Sequence, residues 1–252
     1  MLVLFQYRTA AIAGLTTQVF WGLMKIMILS AFYATTTSSQ PLSLTQAITF
    51  IWLGQALLEL LPWTIDKEIE AEIKTGNIAY QLTKPLDLYW HLFFRSLALR
   101  LAPTIWKIVP LFLFAALVYH LPAPVSIEAG IFFAISLFLS SLLSAAITTF
   151  FIITLFWTLS ADGLQNLIAH FSILLSGLLI PLPLFPSCLQ PFLNFQPLRG
   201  IVDIPARLYT GVITTEDGFY YLSFQVVWIL VFIVFSRYLL RKAMKKFVIQ
   251  GG

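Results

Sequence analysis

The sequence has a single cysteine, Cys188, so neither a disulfide framework nor a cysteine metal cluster can be built within the chain. It is also poor in charge: Asp, Glu, Lys and Arg make up 10% of 252 residues, against roughly a quarter in an average soluble domain. No G-x-x-x-x-G-K-[ST] phosphate loop occurs, so any ATP the protein uses must be bound by another chain. Nor does the chain open on a basic region followed by a short apolar core and a small-residue cleavage site. Its first apolar stretch, Ala10 to Tyr33, is therefore expected to remain as a span.

What is present is apolar surface: 59% of the residues are hydrophobic, and they come in long blocks. A helix needs about 20 apolar residues to cross about 30 Å of hydrocarbon at about 1.5 Å per residue. Six blocks meet that need: Ala10 to Tyr33, Leu44 to Ile65, Leu97 to Leu121, Ile127 to Trp157, Gly163 to Leu184 and Phe219 to Leu240. The expected fold is an all-α integral membrane protein, one domain over residues 1–252. The net charge of +4 does not point to nucleic acid, because the basic residues flank apolar blocks. Eleven of them (Arg8, Lys67, Lys74, Lys84, Arg95, Arg100, Arg237, Arg241, Lys242, Lys245 and Lys246) fall on one side of a six-span layout. Arg199 and Arg207 fall on the other. The positive-inside rule then puts both termini and residues 66–94 in the cytoplasm. Trp52, Trp63, Trp157, Tyr33 and Tyr220 lie near the expected span ends, where amphipathic rings settle at the headgroup level.

The connections are unequal. The longest, residues 186–218, carries Pro186, Pro191, Pro197 and Pro205 with Arg199, Asp203 and Arg207, and cannot cross lipid as one helix. Short helices dipping back into the outer leaflet are expected, with a surface loop as the alternative. On the cytoplasmic side, Asp66 to Pro85 is dense in charge. Gly76 can end one helix, Asn77 can cap the next, and Pro85 stops it, leaving a short helix with Ile78, Ala79 and Leu82 on one side. A charged run of this kind is also what a plain solvated connection looks like.

Within the spans, ionisable groups cost about 2.5 to 3.5 kcal/mol each on insertion scales and call for a partner or a wet cavity. Glu59 and Lys107 lie at matching depths in spans two and three, so an ion pair is expected, serving packing or transport. Lys25 has no equally good partner. Span four carries Ser136, Ser140, Ser144 and Thr148 at four-residue spacing, a stripe suited to close helix packing or to substrate contact. Span five starts at the cap signal Ser160, Asp162 and Gly163, and lines up Asp162, Asn166 and His170 on one face. A polar face toward a cavity is the expectation there. No metal is expected, since His91 and His120 belong to opposite sides. Gly177, Pro181 and Pro183 interrupt the same span and favour a kink.

The run EIKTGNIAYQLTKPLDLYW, Glu72 to Trp90, resembles the segment after the second span of the type-two ABC exporter permeases: an acid, a glycine and, nine residues on, proline and leucine, here Glu72, Gly76, Pro85 and Leu86. The run PLFPSCLQPFLNFQPLRGIVDIPARLYTG, Pro183 to Gly211, is similar to the last outer connection of a bacterial subgroup of that family. Lys74 departs from the pattern, where many relatives carry a second acid. The resemblance implies an exporter subunit in the bacterial inner membrane. Its pathway forms with a second permease, identical or homologous, and two ABC ATPase subunits bind ATP and Mg. It also implies that Asn77 to Thr83 is a coupling helix, with Glu72, Gly76, Asn77, Ile78, Tyr80, Gln81, Leu82, Pro85 and Leu86 at the ATPase contact. No catalysis and no cofactor are expected on this chain. A secondary transporter should show a repeat with paired broken helices, and a membrane enzyme a nucleophile and base at one depth. Neither pattern is evident.

Overall fold

The computed structural model describes residues 2–82, 85–158 and 162–246, and these contain helices and no strand. Among the described residues, four helices are long and apolar enough to span a bilayer: α1 (Leu2–Thr35), α5 (Leu88–Tyr119), α6 (Ile127–Thr158) and α10 (Thr215–Lys246). The last three have 32 residues each, about 48 Å of helix, so each outruns the hydrocarbon layer. Two apolar helices are shorter. Helix α2 (Leu44–Leu57) runs on as a 3-10 turn over Leu58–Leu60, and α7 (Asp162–Leu175) stops there. Between them come α3 (Lys67–Lys74) and the single-turn α4 (Ala79–Leu82). Short helices α8 (Gln190–Phe195) and α9 (Asp203–Tyr209), with three 3-10 turns, fill the stretch before α10.

Local chemistry sets several of these boundaries. Ser43 caps α2 through a reciprocal box with Gln46, and Asp66 and Asp87 accept backbone N–H bonds at the starts of α3 and α5. Gly76 follows α3 at φ +77°, a left-handed conformation that a side chain resists. Helix α5 begins nine residues before the expected span, because Asp87 starts it, not the first purely apolar residue. His120 ends α5 with φ +48°.

The fifth expected span departs most from the sequence reading, since a helix to Leu184 is replaced by one that breaks after Leu175. Its freed carbonyls are taken up by side chains. Gln196 Nε2 donates to the Leu175 carbonyl at 2.8 Å, Lys25 Nζ to Leu178 at 2.8 Å, and Gln190 Nε2 to Leu182 and Phe185 at 2.9 and 3.0 Å. Irregular backbone inside a membrane is tolerated where protein groups satisfy it in this way. The connection beyond is not a surface loop: Ile201, Val202, Ile204, Ala206 and Leu208 are buried.

Helix α6 is the hub. Its serine stripe faces inward, with Ser136, Ser140 and Ser144 fully buried and Thr148 nearly so. Ser140 Oγ donates to the Gly200 carbonyl at 2.8 Å, Ser136 Oγ to Gln225 Oε1 at 3.1 Å, and Ser144 Oγ to the Leu60 carbonyl. Gln225 Nε2 reaches Gly200 at 2.7 Å, so α6, α10 and the Pro197–Gly200 turn meet at one amide. Small side chains and shared hydrogen bonds let helices approach where no hydrophobic effect drives them together. Outward, Ile28, Val109, Leu117, Phe138 and Val234 are exposed, a surface suited to lipid. Trp52 is no interfacial ring: it is 2% exposed and packs on Phe114, Tyr119 and Gly22.

Candidate functional site

The ends of α5, α6 and α10 that lie together carry the α3–α4 elbow. Ile69, Ile73 and Ile78 are buried against Tyr89, Leu92 and Phe93 of α5 and Ile152 and Ile153 of α6. This apolar side holds the elbow down. Polar contacts then fix its angle. The Glu72 carbonyl accepts the Ile78 N–H at 3.0 Å, closing the chain over Gly76, and the Glu72 carboxylate accepts from Gln81 Nε2 at 3.2 Å. Lys74, the residue that departs from the family pattern, pairs with Glu70 at 2.7 Å. Asn77 sits one residue before the cap position of α4 and lends its carbonyl to the Tyr80 N–H at 3.0 Å.

Two ion-pair sets carry the elbow into the long helices. Arg95 of α5 bonds both Asp66 and Glu68 at the start of α3. Asp87, which caps α5, pairs with Arg237 of α10 at 2.7 Å, and Arg237 also lies over the rings of Tyr89 and Trp90. These pairs tie α3 to α5 and the first turn of α5 to α10. Sequence reading gave none of these five residues a site role. Asp66 and Asp87 did leave a signal, as acids just ahead of helix starts, but their long-range partners left none.

The outer side of the elbow is open. Tyr80 is 71% and Leu86 61% exposed. Beside them lies a groove of about 780 Å³ walled by Leu86, Trp90, His91, Phe94 and Arg95. Asn77 and Pro85 are exposed as well. Thr83, Lys84 and Ser160 lie outside the described residues, as do the side chains of Leu82 and Asp162.

Inside the helix bundle, Lys107 Nζ and Glu59 Oε1 are in contact, with the two side chains 16% and 18% exposed. Arg100, two turns before Lys107 on α5, is buried and donates to the Thr64 carbonyl. Asn166 and His170 lie one turn apart. Both are exposed on α7, where the Asn166 carbonyl lies 2.7 Å from His170 Nδ1. Among the described residues, no three His, Cys, Asp or Glu side chains come together as a metal group would require.

No curated protein and no solved structure matches the chain. The family model described as ABC-2 family transporter protein matches residues 19–251, nearly the whole chain. The protein is a multi-pass membrane protein that belongs to the ABC-2 transporter family, an ABC-2 type permease.

Proposed function

We propose that the chain crosses the membrane six times, through α1, α2, α5, α6, α7 and α10, with both termini and α3–α4 in the cytoplasm. In this reading it forms an export pathway in the bacterial inner membrane together with a second permease copy or a homologue. Two separate ATPase subunits bind ATP and Mg and drive it, and the chain itself is a single non-catalytic domain. Lys and Arg bias supports the orientation. The short helices support the count: α2 with its 3-10 turn covers 17 residues, about 25 Å, and the non-helical Leu61 to Ile65 continues it. α7 supplies about 21 Å, and the satisfied backbone after Leu175 continues it. The connection over 186–218, buried mainly at 199–210, then acts as a re-entrant cap on the outer mouth.

The observation that carries the coupling role is the two-sidedness of α3–α4. Its isoleucines are sunk against α5 and α6, while Tyr80 and Leu86 face outward beside an apolar groove. An ATPase seated there would push on an element tied by Arg95 and Asp87 to α5 and α10. The test is Tyr80→Asp with Leu86→Asp, followed by purification of the transporter with its ATPase. Two apolar anchors lost at about 2 kcal/mol each weaken docking roughly a thousandfold, with the permease still folded. A complex that survives both changes with full transport refutes the assignment.

A further inference from the structure

A seam between α1, α2 and α5 holds two cations and one carboxylate. Lys107 and Arg100 face one carboxylate, Glu59, which touches Lys107 and also acts electrostatically on Arg100. Each cation has a single hydrogen-bond acceptor, Glu59 for Lys107 and the Thr64 carbonyl for Arg100. Arg100, Thr104 and Lys107 share a face of α5 by their spacing, and Thr104 spends its hydroxyl proton on the Arg100 carbonyl at 2.7 Å.

Gln18 of α1 adds the second observation. It is 3% exposed, and both amide atoms are buried without a partner. Its direction follows from its neighbours on the same face, four residues to either side. A Cβ on Gly14 would lie 3.3 Å from Lys107 Nζ, and one on Gly22 would lie 2.9 Å from the Trp52 ring and 3.4 Å from Gln55 Cγ. Gln18 therefore points between Gln55 and the Lys107–Glu59 contact. Water could serve the amide, but it would leave the surplus cation uncompensated in a medium that penalises charge. One anionic group with several acceptor oxygens answers both needs.

We propose that this seam binds the anionic head, carboxylate or phosphate, of an amphiphile whose tail lies along the exposed apolar face of α5 at Trp106, Val109 and Leu113. The head enters where Lys107 and Glu59 keep partial exposure. This deepens the permease reading by naming the class of molecule taken from the membrane, and it rests on that reading for its place in transport.

The test uses the full chain in phosphatidylcholine nanodiscs, probed with oleate, oleyl alcohol and phosphatidylglycerol, with occupancy read by native mass spectrometry. Oleate or phosphatidylglycerol is retained and oleyl alcohol is not. Preference for oleate identifies a free amphiphile, and preference for phosphatidylglycerol identifies a lipid headgroup. Glu59→Gln, which removes the competing carboxylate, tightens retention by about tenfold, or ~1.4 kcal/mol. Gln18→Leu, close in volume, weakens it. A purely structural ion pair predicts no gain from Glu59→Gln, so the sign of that effect decides. Equal retention of oleate and oleyl alcohol, or indifference to both variants, overturns the proposal. Because the measurement needs no ATPase, failure of the ATPase to co-purify would remove the coupling reading and leave this result standing.

Discussion

Replacing Gln225 by leucine, nearly isosteric and fully apolar, removes an amide that ties α6, α10 and the Pro197–Gly200 turn together. Gln225 is fully buried, accepts from Ser136 Oγ at 3.1 Å and places Nε2 at 3.2, 3.1 and 2.7 Å from Ser136 O, Ser140 Oγ and Gly200 O. Two amide hydrogens are shared over those three acceptors, so no more than three full bonds are lost. At about 0.6 kcal/mol for each interhelical bond in a membrane protein, the variant loses about 2 kcal/mol. Ser140→Ala alone costs less, because Gln225 still serves Gly200. The double variant separates two effects of opposite sign. The direct Ser140–Gln225 bond is lost only once, which saves about 0.6 kcal/mol. Against that, the Gly200 carbonyl loses both its donors, which costs about 1 to 3 kcal/mol. The orphaned carbonyl wins, so the two changes together cost more than their sum, by about 1 kcal/mol. Denaturant titration of the four proteins in detergent, followed by tryptophan fluorescence, reads the cycle. A neutral Gln225→Leu, or a double variant milder than the sum, refutes the reasoning.

Three further outcomes follow from single contacts. His120→Gly relieves the left-handed end of α5 and raises stability by on the order of 1 kcal/mol in the same titration. Asp203→Asn removes the fully buried carboxylate that Arg199 and Arg207 share at 3.3 and 3.4 Å, and loses about 3 kcal/mol with visible loosening of the connection in hydrogen exchange. Lys107→Met leaves Glu59 without its cation and costs about 3 kcal/mol in thermal unfolding. Adding Glu59→Gln restores much of that, and no restoration would mean the contact is not an energetic pair.

Much of this architecture is visible in the sequence because a bilayer forces long apolar runs into helices, and Ala10, Ile127 and Phe219 each begin runs that fall within helices α1, α6 and α10. Depth along two apolar blocks placed Glu59 and Lys107 at one level, and the structure has them touching. The four-residue spacing of Ser136, Ser140, Ser144 and Thr148 marked an inward stripe for the same geometric reason. What stayed hidden depends on tertiary partners. Nothing local says that Lys25 reaches a carbonyl 153 residues away, in the irregular stretch that follows α7. Trp52 reads as an interfacial ring by position and is a core side chain by packing. The elbow shows the same division. Gly76 announces the end of α3, while the pairing of Asp87 with Arg237 joins residues 150 apart and leaves no pattern.

Sidedness of the elbow is the claim on which coupling depends, and Cys188, exposed in the connection before α10, makes it directly measurable. Intact cells are treated with a membrane-impermeant maleimide, comparing the natural protein with a Cys188→Ser, Lys74→Cys variant. The account predicts labelling of Cys188 in intact cells and labelling at position 74 only after the cells are broken. Labelling at position 74 in intact cells contradicts it, because the α3–α4 elbow would then face away from any ATP-hydrolysing partner.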